Sequence, residues 1–253
     1  MKKPLIVGNW KMNLLAPQAE ELACGVRDFA ANINEVKVVL APSYTLLSEV
    51  RKILSGTSIG LACQNFYFKD KGAFTGEVSI EMVKDAGCDF AIVGHSERRQ
   101  LFGETDDLIN KKINCALDKG LRAIFCVGET EDQRKAGHTF DTIEKQVSKG
   151  LEGIKTRDLQ NLSIAYEPVW AIGTGENATA SQVEEIHGFI RKTLVDRLFG
   201  KEMGPITILY GGSVTPDNCR GLLENPEVDG ALIGGASLNI DSFCDIINTA
   251  KSV

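Results

Sequence analysis

The sequence predicts an α/β fold, a single (β/α)8 barrel over residues 1–253 with eight parallel strands ringed by helices. Three observations lead there. Eight short, β-branched apolar runs recur along the chain, and stretches with helical punctuation lie between them. No Ser/Pro linker or break in composition divides the 253 residues, a length close to the ~250 residues of one such barrel. The rival is a doubly wound open sheet with a second domain, but eight strand–helix units favour closure.

The runs come in order as LIVGNW (5–10), VKVVLAP (36–42), IGLACQN (59–65), FAIVGHS (90–96), RAIFCVGE (122–129), LSIAYEP (162–168), ITILYGG (206–212) and GALIGGA (230–236). They are nearly continuous in apolar character rather than alternating, as expected of parallel strands buried on both faces. Between the first two, PQAEELACGVRDFAANI carries its proline where a first helical turn tolerates it. TDDLINKKINCALDKG opens on Thr/Asp and stops on Gly, which are start and stop signals for a helix. TASQVEEIHGFIRKTLVDRLFG and LNIDSFCDIINTAK read as two more helices. The spacing of the units is irregular, so the chain is not a solenoid.

Composition excludes several classes. Hydrophobic residues make up 43% and charged residues 25%, ordinary for a globular chain able to bury a core. The net charge is −6 with no basic tract, which argues against a nucleic-acid partner. Seven cysteines (24, 63, 88, 115, 126, 219 and 244) form no C-x-x-C pair. A disulfide framework or zinc site is not expected, and most should be small buried apolar residues. The start, MKKPLIVGNWKMN, is too short in apolar residues for a signal-peptide core. No window approaches 18 apolar residues, so no membrane span is expected. The compartment expected is the cytosol.

In a barrel the chemistry sits where strands end and the following loops begin. The first run ends on Asn9 and Lys11, the fourth on His95, Ser96 and Glu97, and the sixth on Glu167. The seventh ends on Gly211, Gly212 and Ser213, the eighth on Gly234 and Gly235. Bare glycines before helix starts let backbone N–H groups approach an anion, so the last two runs suggest a phosphate site; the plain alternative is tight turns without a ligand. His95 opens a helix, whose N-terminal dipole disfavours an imidazolium. A neutral ring there can donate to a substrate oxygen. His138 and His187 lie in helix-like stretches and read as structural. Lys11 offers fixed positive charge or a solvated side chain. Glu167 is the candidate base.

Directly after it comes YEPVWAIGTG (166–175). Pro168 and Val169 stiffen one end, Gly173 and Gly175 free the other, and Trp170, Ala171 and Ile172 make an apolar tip with Thr174 beyond it. Such a loop could close over the site and exclude water; otherwise it packs permanently on the rim. GTGENA matches a dinucleotide-binding glycine pattern, but Pro168 and WAI separate it from its strand, and Asp196, the only acid at the required distance, lies in a helical pattern.

These residues resemble the triosephosphate isomerases essentially end to end. The shared motifs are GNWKMN (8–13), APSY (41–44), QN (64–65), GAFTGE (72–77), VGHSERR (93–99), CVGE (126–129), YEPVWAIGTG (166–175), YGGSV (210–214) and LIGGASL (232–238). That family is itself a standard illustration of tuned acid–base pairs and of lid closure. The resemblance implies a TIM barrel that interconverts dihydroxyacetone phosphate and D-glyceraldehyde 3-phosphate through an enediolate, in glycolysis and gluconeogenesis, without cofactor or metal. It makes Glu167 the carbon base, neutral His95 the electrophile, Lys11 the charge stabiliser and Asn9 a substrate-positioning group. Backbone N–H groups of Gly173, Ser213, Gly234 and Gly235 would hold the phosphate, with Ser96 and Glu97 in support.

The family is usually dimeric. QNFYFKDKGAFTGEVS is a long loop for a compact fold. Its Phe66, Tyr67, Phe68 and Phe74 suggest docking into a partner subunit rather than exposure to water; packing on its own barrel is the alternative. Thr75 and Glu77 match the family's loop tip. FYFKD is more aromatic than the pattern, and Glu176 follows the lid where a basic residue is common. Two rival functions remain to be weighed: an aldolase forming a Schiff base on Lys11, and a binding protein on an inactive barrel. The second would require loss of Glu167, His95 or Lys11, and all are present.

Overall fold

The computed structural model describes residues 3–171, 178–200 and 206–253, the side chain of Thr193 excepted. Eight parallel strands close a barrel in chain order: β1 Leu5–Asn9, β2 Lys37–Ala41, β3 Gly60–Cys63, β4 Phe90–Val93, β5 Arg122–Val127, β6 Leu162–Tyr166, β7 Thr207–Tyr210 and β8 Gly230–Ile233. All eight expected runs are strands. The first and last pair in parallel, with Val7 opposite Leu232, which completes the ring.

Among the described residues eleven α-helices surround it: α1 Ala16–Ala30, α2 Leu47–Ile53, α3 Ile80–Asp85, α4 Ser96–Leu101, α5 Asp106–Asp118, α6 Glu131–Lys135, α7 Thr139–Gly150, α8 Ala180–Gly188, α9 Asp196–Phe199, α10 Pro216–Leu223 and α11 Ile240–Lys251. Their starts follow local chemistry. Thr105 caps α5 by accepting from Leu108 N–H, and Thr130 and Thr179 cap α6 and α8 in the same way, satisfying N–H groups that have no helical partner. The expected continuous helix over 179–200 is interrupted by a π-helical stretch, Phe189–Val195, which joins α8 to α9. Such stretches sit inside otherwise helical patterns and leave the apolar spacing largely intact, so the sequence reads as one helix.

Two apolar layers hold the fold. Twelve residues fill the barrel interior: Leu5, Val7, Val39, Ala41, Ala62, Phe90, Ile92, Ile124, Cys126, Ala165, Leu209 and Leu232. Every strand contributes at least one. The strand residues between them, such as Ile6, Leu40, Phe125 and Ile164, face the helices in a larger cluster. Both faces are therefore apolar, which is why the runs do not alternate. All seven cysteines are free, five of them buried. Among the described residues no helix is long and apolar enough to cross a membrane, and no group of three or more His, Cys, Asp or Glu side chains is placed to hold a metal ion.

Candidate active site

The interior layer dictates what reaches the mouth. Side chains on one face of a strand recur every second residue. Two positions beyond Val7, Ala165, Leu209 and Leu232 stand Asn9, Glu167, Gly211 and Gly234. The same register that packs the barrel thus delivers a carboxylate, an amide and two bare glycines to one end. They line a cleft of ≈ 560 Å³ with Lys11, His95, Gly212, Ser213 and Gly235. The strand-end residues expected to form a site are brought together, apart from Ser96 and Glu97, which adjoin this lining.

Asn9 is buried, and its Oδ1 accepts from Lys11 N–H at 3.1 Å. Lys11 has φ 52°, a left-handed conformation that costs a non-glycine residue about 1 kcal/mol. Gln64 holds the turn by donating from Nε2 to the carbonyls of both Lys11 and Ala41, each at 2.8 Å. Lys11 Nζ then lies 2.6 Å from Glu97 Oε1. That pairing suits a fixed positive charge better than a neutral amine nucleophile.

Gly94, with φ 76°, turns the chain out of β4 so that His95 leans over the mouth at the N-terminus of α4. Glu97 N–H points at His95 Nδ1 at 3.3 Å, so Nδ1 carries a lone pair and the proton of the neutral ring is on Nε2. That nitrogen lies 2.9 Å from Glu167 Oε1, although among the described residues the oxygen has no directed hydrogen-bond partner. The other carboxylate oxygen, Oε2, accepts from Ser96 N–H at 2.9 Å. Burial disfavours the imidazolium, but the Glu167 carboxylate outweighs it and raises the His95 pKa above its ordinary value. The backbone N–H at Nδ1 opposes protonation, because that bond is lost outright in the cation. We therefore assign the neutral ring at alkaline pH, with protonation on acidification favoured by Glu167.

The glycines have separate reasons. A Cβ on Gly211 would lie 2.9 Å from Glu167 Cγ, and one on Gly212 only 2.3 Å from the Tyr210 hydroxyl. Gly128 is tighter still, at 1.7 Å from the Glu167 carbonyl oxygen. At Gly235 no described residue lies within 4 Å of such a Cβ, so its bareness serves the open cleft rather than packing against the described residues.

Beyond Glu167, residues Pro168, Val169, Trp170 and Ala171 of the expected lid are described; Ile172, Gly173, Thr174 and Gly175 lie outside the described residues, as does Glu176. Val169–Ala171 forms a 3-10 turn. Glu129, fully buried, anchors it. Its carboxylate accepts from Trp170 Nε1 at 3.0 Å, from the Tyr166 hydroxyl at 3.2 Å and from Arg134 at 3.1 Å, while Arg134 stacks on the Trp170 ring at 4.4 Å. Burial pushes the Tyr166 hydroxyl pKa well up, and Glu129 adds to it. Sequence reasoning passed over Glu129 and Gln64, although both stand inside quoted motifs, CVGE and QN. His187 is fully buried and Cys219 is buried, in keeping with structural roles.

A closed parallel barrel with a carboxylate and an imidazole facing each other at its C-terminal mouth defines a (β/α)8-barrel enzyme of the proton-transfer class. The family model described as Triosephosphate isomerase matches residues 4–250, and the chain belongs to the triosephosphate isomerase family. It is similar to the triosephosphate isomerase of Geotalea uraniireducens (strain Rf4), with 49% identity over 99% of this chain and 100% of that protein. It is also similar to those of Syntrophotalea carbinolica, 48% identical over 98% of each chain, and Geobacter metallireducens, 47% identical over 98% of this chain and 99% of the other.

Proposed function

We propose that this chain interconverts dihydroxyacetone phosphate and D-glyceraldehyde 3-phosphate, as one barrel domain over residues 1–253. The observation that carries the reading is the approach of His95 Nε2 to Glu167 Oε1 at 2.9 Å, beside a glycine rim and the Lys11 ammonium. A hydrogen on carbon next to a carbonyl is too weakly acidic for a carboxylate alone. Glu167 takes that proton while His95 Nε2–H donates to the carbonyl oxygen, so the charge that develops is met as it forms. Protonation of the neighbouring carbon by the same carboxylate, with proton exchange between the two oxygens at His95, completes the isomerisation. Lys11 steadies the enediolate charge and Asn9 orients the substrate. Ser213, Gly234 and Gly235, with Gly173, present N–H groups to the phosphate. Ser96 parks the carboxylate until substrate arrives, and Glu97 holds Lys11 and the His95 tautomer.

In this reading residues 168–175 close as the lid, because an enediolate phosphate exposed to water loses phosphate. The chain acts as a homodimer in the cytosol, within glycolysis and gluconeogenesis. A second cleft of ≈ 340 Å³ beside Lys11 and Glu97 has Met12 and Phe102 on its rim, 95% and 67% exposed. Such apolar exposure supports a partner surface. Tyr67 makes tilted contacts with both Phe68 and Phe74, while Phe66 is buried in the chain's own core, so only part of the loop's aromatic surface is left over. Phe74, Thr75 and Glu77 are left as the tip that enters the partner. Sedimentation showing only monomer at micromolar concentration would remove the dimer from this reading.

The test is isomerisation of D-glyceraldehyde 3-phosphate, coupled to reduction of the dihydroxyacetone phosphate formed, with Glu167→Asp alongside. Fast turnover that drops about a hundredfold in the variant supports the reaction and its base together. No turnover by folded protein overturns both.

A further inference from the structure

We propose that Gln146, a side chain of α7 away from the cleft, is a positioning residue for the catalytic base and the lid anchor, acting through the peptide groups of Gly128. The proposal rests on the isomerase reading above.

The β5–β6 ladder ends at the pair Val127 and Tyr166. One residue further, Gly128 has a backbone N–H and C=O in need of partners. One primary amide supplies both. Gln146 Oε1 accepts from Gly128 N–H at 2.8 Å, and Gln146 Nε2 donates to Gly128 C=O at 3.0 Å. A single hydrogen bond would let the strand end rotate, whereas a donor and an acceptor on one planar group fix its orientation. The clamp stands on a firm base, because Ile143 and Val147, on either side of Gln146 in α7, are buried in the core.

Gly128 in turn carries Glu167. The Gly128 and Glu167 backbones touch so closely that no side chain fits between them. The residues flanking Gly128 make the two bonds that seat the base and its loop: Val127 O accepts from Glu167 N–H at 2.7 Å, and Glu129 O accepts from Val169 N–H at 3.2 Å. The Glu129 side chain also holds Trp170. A tilt of the Gly128 peptide groups therefore moves the Glu167 backbone and the start of the lid together, with no contact to substrate. A clamp that merely fastened α7 to the barrel could have used any strand residue; this one takes the peptide on which the base rests.

The experiment measures isomerisation kinetics of Gln146→Leu and Gln146→Glu, with wild type and Glu167→Asp alongside and thermal unfolding recorded for each. Gln146→Leu removes both bonds at similar volume. It is expected to fold and to lose at least about tenfold in kcat with KM held within about twofold. In Gln146→Glu the carboxylate faces the Gly128 carbonyl near pH 8, and kcat falls similarly. Near pH 4.5, close to the ordinary carboxyl pKa of about 4.3, a large share of the side chains is the neutral acid, which restores one donor and one acceptor in the amide pattern, and kcat relative to wild type rises. A folded Gln146→Leu with kcat within about twofold of wild type overturns the proposal. So does a Gln146→Glu ratio that is flat with pH, which decides alone if the leucine variant does not fold. A folded wild type without turnover overturns this proposal and the isomerase reading together; turnover that collapses in Glu167→Asp but not in the Gln146 variants overturns this one alone.

Discussion

Nε2 of His95 lies 2.9 Å from Oε1 of Glu167, yet among the described residues that oxygen has no directed donor. The two groups face each other without spending their hydrogen-bonding capacity on one another. The carboxylate is held instead through its second oxygen by Ser96 N–H, and the ring through Nδ1 by Glu97 N–H. Both contacts come from the first turn of α4. That turn therefore positions the imidazole and the carboxylate together, with His95 Nε2 and Glu167 Oε1 facing each other.

The electrostatic side of this pairing is measurable in the free protein. Burial lowers the His95 pKa, and Glu167 reverses the sign to a net rise. In Glu167→Gln the carboxylate's contribution vanishes while burial and the nearby Lys11 charge remain. The His95 midpoint, followed by imidazole proton resonances in a chain with three histidines, is expected to move down relative to wild type. An unmoved or higher midpoint would show that the carboxylate does not govern the ring.

The two kinds of glycine at the rim separate packing from ligand approach. Gly211→Ala pushes against Glu167 Cγ at 2.9 Å, whereas Gly235→Ala meets nothing within 4 Å among the described residues. Gly235→Ala should fold as wild type and raise KM for the phosphorylated substrate about tenfold, since a methyl group holds the anion off the backbone N–H groups. Gly211→Ala should lower kcat instead, by displacing the base. Steady-state kinetics on both variants decides the point; equal behaviour of the two would remove the distinction.

Much of this was legible in the sequence because it is local. Eight apolar runs could be located, and in a barrel the residues that end them converge, so Asn9, Lys11, His95, Glu167 and the glycine pairs could be singled out without coordinates. What joins those residues was not legible. Gln64 reaches Lys11 across 53 positions, Glu129 reaches Trp170 across 41, and Ser96 reaches Glu167 across 71. No period or propensity signals a side chain that serves a distant backbone carbonyl. The π-helical Phe189–Val195 was missed for a different reason: one widened turn leaves the surrounding helical pattern unbroken.

The buried charge cluster beneath the second cleft makes a stability prediction. Glu104 Oε1 accepts from Lys112 Nζ and Arg98 Nε, and Lys112 also donates to Asn65 at 2.6 Å. Burial raises the Glu104 pKa, but the Lys112 and Arg98 charges more than reverse this and leave it lowered. Lys112→Met leaves a carboxylate that is 6% exposed with Arg98 as its remaining charged partner, and should destabilise the fold by ~3 kcal/mol. Adding Glu104→Gln removes the half-compensated charge and should recover a substantial part. Urea unfolding at one fixed protein concentration reads both. A single variant as stable as wild type would mean that Arg98 alone suffices.

His187 makes the fold sensitive to acid. Its Nδ1 lies 3.0 Å from the Glu227 carbonyl, and a carbonyl only accepts, so Nδ1 bears the proton and Nε2 a lone pair. Among the described residues Nε2 is buried without a partner, and the ring lies edge-on to Tyr166 with ring centroids 5.9 Å apart. Burial drives the pKa down to about 4, against about 6.5 in an unfolded chain. The sign follows from proton binding. Between about pH 6.5 and about pH 4 the unfolded chain holds a proton on this ring that the folded chain refuses, so stability falls as pH falls through that window and levels off below it. The full loss is ~3 kcal/mol, from a shift of about 2.5 units at about 1.4 kcal/mol each. His187→Gln should cost stability near neutral pH through altered packing, yet lose less between pH values of about 7 and about 4.5 than wild type does. Unfolding free energies of the two proteins at those values carry the test, because every other titrating group is common to both. Parallel pH dependences would show that His187 takes up its proton without unfolding the chain.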